Sequence, residues 1–193
     1  MQHVSTAPPP TTQRRSTARI FGRWMATFLG YPLGGYAAYL TIGRVDSLLP
    51  ALLGGLLTGA ILGAVQVWGL GRNRPPASSW IVVTAVGLMV GLGLGSALVD
   101  YDTSLAALIT QGAVTGLFVG LAQGAVLLPR IGRLAYAWPG FFAVVAAVGW
   151  AVTTTAGIGV DLQFTIFGSS GALVATALTF VLPYALNRKE NQS

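Results

Sequence analysis

The stretch GLLTGAILGAVQ at residues 55–66 recurs as GAVTGLFVGLAQ at residues 112–123, 57 positions later, with three glycines, one threonine and one glutamine in register. Four residues turn a helix slightly more than once, so glycines at that spacing share one face. Neither copy holds a charge, and each lies inside a longer apolar run. That combination reads as a membrane-spanning helix whose bare face lets another backbone come close. In lipid this is how helices associate, because escape from water no longer drives them together.

Outward from these copies, apolar runs cover about residues 24–43, 48–70, 80–99, 104–128, 138–158 and 165–186. Each is near the ~20 residues a helix needs to cross hydrocarbon about 30 Å thick. Only 8% of residues are charged and mean hydropathy is +0.68, whereas a soluble domain carries about a quarter charged residues. Six buried helices of a soluble core would need polar faces that are missing here. The fold class expected is an all-α membrane protein with six transmembrane helices.

Tryptophans at Trp24, Trp80 and Trp138 each open a segment that later reaches a Val-Asp pair, at Val45-Asp46, Val99-Asp100 and Val160-Asp161. The expected arrangement is three tandem helical hairpins, over residues 24–79, 80–137 and 138–187, with approximate pseudo-threefold order about the membrane normal. In the third, Gly168, Ala172 and Thr176 keep the small face, but Thr179 stands where the glutamine would fall. The whole transmembrane domain is expected over 19–187. Residues 1–18, rich in Pro, Thr, Ser and Gln, are expected as a disordered basic tail, with a second short tail at 188–193.

The net charge of +6 is unevenly placed. Arg14, Arg15, Arg19 and Arg23 precede the first run; Arg72 and Arg74, Arg130 and Arg133, and Arg188 and Lys189 occupy the same end of later runs. Asp46, Asp100, Asp102 and Asp161 occupy the other end, with Arg44 as the exception. By the positive-inside rule the expected site is a bacterial inner membrane, with both termini cytoplasmic. The basic residues then orient the chain and attract anionic headgroups, and nucleic acid is not the expected partner. Arg14-Arg15 is not read as an export signal, because the run behind it is of full span length without a small-residue cleavage site. The absence of cysteine removes disulfides, thiolate nucleophiles and Cys-bound metals.

No ionisable residue falls near the middle of a run, which argues against proton relays, ion-selective transport and acid–base catalysis. The expectation is no enzyme, with no catalytic, cofactor or metal residues. Helix packing is assigned to Gly55, Gly59 and Gly63, to Gly87, Gly91 and Gly95, and to Gly112, Gly116, Gly120 and Gly124. These faces are expected to meet neighbours in the same chain. Gln66 and Gln123 are expected to be interhelical polar residues whose amides pair with backbone or with the indoles of Trp80 and Trp138, since an unpaired amide in lipid costs about 1–3 kcal/mol.

Other features receive structural readings. Pro32 should kink the first span, Pro50 and Pro139 should open helices, and Ser47 should cap the second span. Trp24, Trp68, Trp80, Trp138 and Tyr136 read as an interfacial belt. Asp100, Tyr101 and Asp102 read as a solvated loop rather than a cation site. Thr153, Thr154 and Thr155, with Gln111, form a polar cluster whose hydroxyls are expected to bond back to their own helix.

Through GxxxGxxxGxxQ at Gly55 to Gln66 and Gly112 to Gln123, the chain resembles bacterial polytopic membrane proteins with repeated Gly-rich, Gln-containing helices, over about residues 50–160. The resemblance implies a bacterial inner membrane and supplies no activity or site. The function expected is an integral membrane scaffold or accessory subunit beside a larger membrane complex, with lipid and such a complex or a second copy as partners. The alternative is a channel or facilitator for a small neutral or apolar solute.

Overall fold

In the computed structural model the described residues are 10–157, 159 and 166–190, with side chains described from Thr17 to Asn187 within that range. All regular elements among them are helices. They are α1 (Pro10–Met25), α2 (Gly30–Ile42), α3 (Leu48–Leu70), α4 (Ala77–Leu98), α5 (Leu105–Ile131), α6 (Trp138–Thr155), α7 (Ser169–Leu178) and α8 (Val181–Glu190), with 3₁₀ turns at Ala26–Leu29, Gly71–Asn73 and Gly132–Ala137.

Four helical stretches are long and apolar enough to cross a membrane, not the six expected: Leu48–Asn73, Ala77–Leu98, Leu105–Thr155 and Ser169–Asn187. Prolines explain much of the difference. The first run is broken at Ala26–Leu29, just where the ring of Pro32 would strike the carbonyl of Phe28 in a regular α-helix. This 3₁₀ turn is the form taken by the expected kink, and it leaves α2 with only 13 residues. The last run breaks between α7 and α8 at Thr179 and Phe180, and Thr179 is likewise four residues before Pro183. The third stretch joins two helices: its 51 residues would extend about 75 Å if straight, but α6 folds back along α5.

Glycine marks the turns. Gly43, Gly71 and Gly132 follow α2, α3 and α5 with φ of 98°, 76° and 62°, the left-handed region that a Cβ disfavours and that commonly ends helices. At the start of α3, Ser47 holds the cap position without a capping bond; its hydroxyl instead donates to Asp46 at 3.2 Å. Pro50 and Pro139 lie in the first turns of α3 and α6, where a missing N–H costs nothing. The expected disorder over 1–18 is corrected in its second half, because α1 begins at Pro10; a proline at the first helical position and the Gln13–Arg15 and Ala18–Arg19 helix formers favour it there. Residues 1–9 lie outside the described residues, as do 191–193 at the other end.

Helices adjacent in sequence are adjacent in space from α2 through α7, and α7 then touches α1, α2 and the turn between them. The elements thus close into a ring. Its interior is filled by Leu62, Leu88, Val119, Leu127, Val145 and Ala172, while Leu33, Leu40, Leu49, Leu94, Leu98 and Val144 point outward and are exposed. A helix apolar on both sides is suited to lipid without and a packed core within.

Candidate functional site

The glycine faces decide how closely the helices approach. A methyl added at Gly55 would lie 2.7 Å from the Leu88 carbonyl oxygen of α4, at Gly59 2.7 Å from Ala85 Cα, and at Gly63 3.0 Å from Ile81 Cα. On the other side of α4, Gly87 and Gly91 hold the backbone of α5 so near that a methyl would sit 2.8 Å from Val119 Cα and 2.8 Å from Thr115 Cα, and at Gly95 2.8 Å from the Gln111 carbonyl oxygen. Gly112, Gly116 and Gly120 do the same for α6, against Ala146, Phe142 and Pro139; Gly124 is looser, at 3.2 Å from the Ala135 carbonyl oxygen. Each of the ten glycines therefore faces a neighbour in its own chain, leaving none of these faces for a second copy.

Polar bonds tie the same helices at the arginine-rich end. The Trp80 indole donates to Gln66 Oε1 at 3.1 Å. Trp138 donates to Gln123 Oε1 at 3.0 Å, and Gln123 Nε2 in turn donates to Thr84 Oγ1 at 3.0 Å. One glutamine thus joins α4, α5 and α6. The third indole, Trp24, closes the ring across 152 residues by donating to the Thr176 carbonyl at 2.9 Å. With no glutamine at Thr179, whose hydroxyl bonds back to Ala175 at 2.8 Å, a backbone oxygen one turn earlier serves instead.

These bonds correct the aromatic belt. Trp24, Trp80 and Trp138 are buried, and only Trp68 and Tyr136 are exposed. Beside Trp68, the Arg23 guanidinium lies 5.2 Å from the ring centroid. Near it, Arg74 donates to the Gly71 carbonyl at 2.8 Å, Asn73 to Asn187 at 3.0 Å and Arg130 to the Asn73 carbonyl at 3.4 Å. The turn after α3 is thereby held to the ends of α5 and α8.

At the opposite end the carboxylates serve the turns. Asp102 accepts from the Ser104 hydroxyl at 2.6 Å and from the Ser104 N–H at 3.1 Å, and these donors hold its carboxyl below the usual carboxylate range. Ser104 Oγ also accepts from the Ala107 N–H at 3.3 Å, capping α5. Among the described residues no three His, Cys, Asp or Glu gather to hold a metal; Asp161 lies outside them. Replacing Ser104 removes both functions. Ser104→Ala should raise the Asp102 pKa toward its ordinary value, read by carboxyl NMR, and loosen α5 by about 1 kcal/mol through the lost cap. The Asp102 contribution to stability is present above the unfolded pKa of about 3.9 and lost as pH falls through the depressed folded value. That part of the difference between wild type and variant should therefore vanish in acid.

The outer threonines divide. Thr154 donates to the Trp150 carbonyl at 2.9 Å and Thr155 to the Ala151 carbonyl at 2.7 Å, as threonines in helices commonly do. Thr153 is buried and its hydroxyl has no partner. It lines a cleft of about 180 Å³ between α2, α6 and the start of α7, walled by Pro32, Tyr36, Trp150, Ile166 and Phe167. Gln111 is buried on α5, and the three threonines and Gln111 are not joined by bonds into one network.

Sequence reasoning missed the Ser104 cap, although a serine directly before an apolar run is a visible start signal. It also missed the bond from Trp24 to Thr176, for which no side-chain acceptor marked the third segment. Comparison of the chain with protein-family models, with curated proteins and with solved structures finds no match.

Proposed function

We propose that the chain is an integral membrane scaffold or accessory subunit of a bacterial inner membrane that packs beside a larger membrane complex, without catalytic activity, cofactor or metal. In this reading the helices make six crossings as three tandem hairpins with both termini cytoplasmic. One crossing combines the end of α1, its 3₁₀ turn and α2, another combines α7 and α8, and the 51-residue stretch supplies two. The arginine-rich ends then share the cytoplasm.

The observation that carries the reading is how the interior polar groups are spent. The buried glutamine amides and three indoles bond helix to helix, and the glycine faces are filled by neighbouring backbone. What remains for a partner is the exposed leucine surface on α2 and α4, at Leu33, Leu40, Leu94 and Leu98. Crosslinking in membranes followed by mild extraction tests this. A reproducible larger membrane partner crosslinked through α2 or α4 supports the scaffold role. A chain that always emerges alone or only with itself overturns it.

A second reading, a channel or facilitator for a small neutral or apolar solute, is favoured by the cleft beside Thr153. Flux of such solutes into proteoliposomes would support it, and impermeability across a broad panel would exclude it.

A further inference from the structure

Three consecutive threonines end α6, and only one of them lacks a hydrogen bond. Thr154 and Thr155 return their hydroxyls to carbonyls one turn back. Thr153, 1% exposed, does not, although a buried hydroxyl without a partner costs about 1–3 kcal/mol. Its side chain lines the cleft between α2, α6 and the start of α7. The rest of that lining is apolar or aromatic. Trp150 and Phe167 meet edge to face with centroids 6.1 Å apart, and Phe167 is held from behind by Tyr31, stacked at 5.2 Å. Tyr36, 61% exposed, stands at the mouth.

Size and chemistry restrict the occupant. An apolar cavity of about 150 Å³ accepts benzene, so about 180 Å³ accommodates one ring with a short substituent. The described lining contains no Asp, Glu, Lys, Arg or His, and a charged ligand would be left without a counter-ion away from water. A lipid acyl chain fits the apolar walls but brings nothing for the hydroxyl. We propose that this cleft binds one small neutral aromatic alcohol, of the size of benzyl alcohol, with its ring against Trp150 and Phe167 and its hydroxyl paired with Thr153 Oγ1. The inference stands independently of the scaffold reading.

The test uses the full chain in lipid nanodiscs and a benzyl alcohol carrying a diazirine. Labelling should saturate, be competed by unmodified benzyl alcohol, and map to peptides containing Tyr36, Trp150 or Phe167. Thr153→Val should weaken binding about threefold to tenfold, the value of one neutral hydrogen bond. Thr153→Ser, which keeps the hydroxyl, should stay within about twofold of wild type. Melting of each variant in the nanodisc separates lost binding from lost fold. Labelling that never saturates and spreads over the outward leucines overturns the proposal, as does undiminished binding by a folded Thr153→Val. Labelling competed by a phospholipid and not by benzyl alcohol assigns the cleft to an acyl chain and also overturns it.

Discussion

Gly116→Leu should abolish monodisperse folded protein after detergent extraction, whereas Gly140→Ala should raise its melting temperature slightly. At Gly116 a Cβ would collide with the Phe142 carbonyl oxygen and lie 2.8 Å from Ala143 Cα and 2.8 Å from Ala146 Cβ. Two of these obstacles are backbone or fixed to it, so no rotamer change relieves them. Helix α6 would have to withdraw along its length, opening the contacts at Gly112 and Gly120 and separating Trp138 from Gln123. Overpacking usually costs about 1–3 kcal/mol; with an entire interface displaced, a loss above about 4 kcal/mol is expected. Gly140, with nothing within 4 Å of its added methyl, should gain as much as about 1 kcal/mol from the lower conformational freedom of alanine. Size-exclusion profiles and thermal unfolding of the two variants read the contrast. A Gly116→Leu protein that melts like wild type would remove the basis for close backbone packing between α5 and α6.

The positions that matter for this packing were legible because they repeat. Glycines 57 residues apart at Gly55 and Gly112 share a register, and each meets the backbone or side chain of the helix that follows. Run length was less informative. A hydropathy count cannot register that Pro32 and Pro183 interrupt the hydrogen-bond ladder of their runs, so two of the expected spans appear as pairs of shorter helices. Radial position was not legible either. An indole near a basic helix end suits a headgroup boundary and a buried bond equally well, and what separates Trp68 from Trp80 is the orientation of each helix about its own axis. The partner of Trp24 could not be read at all, since a backbone carbonyl carries no residue identity. Nor could the cleft, which depends on where Phe167 stands relative to Trp150 after a long connection.

Gln123 should be the most sensitive polar residue, and Gln123→Leu should cost about 2 kcal/mol or more, exceeding Gln66→Leu. Leucine is close to glutamine in size, so the loss is chiefly electrostatic. It leaves the Trp138 indole N–H without its acceptor at 3.0 Å and Thr84 without its donor at 3.0 Å, in a position that is 0% exposed and closed to water. Gln66 supports only the bond from Trp80 among its described contacts. Single hydrogen bonds in membrane proteins average about 0.6 kcal/mol and reach about 1.7, because the unfolded chain also finds partners. The larger penalty is the stranded donor, which a double-mutant cycle can isolate. Trp138→Phe removes that donor while keeping an aromatic ring between Phe141 and Phe142. Once it is present, Gln123→Leu should become cheaper by about 1 kcal/mol. Purely additive losses would mean that the indole and the amide stabilise α5 and α6 independently, and the network account of this end of the ring would fail.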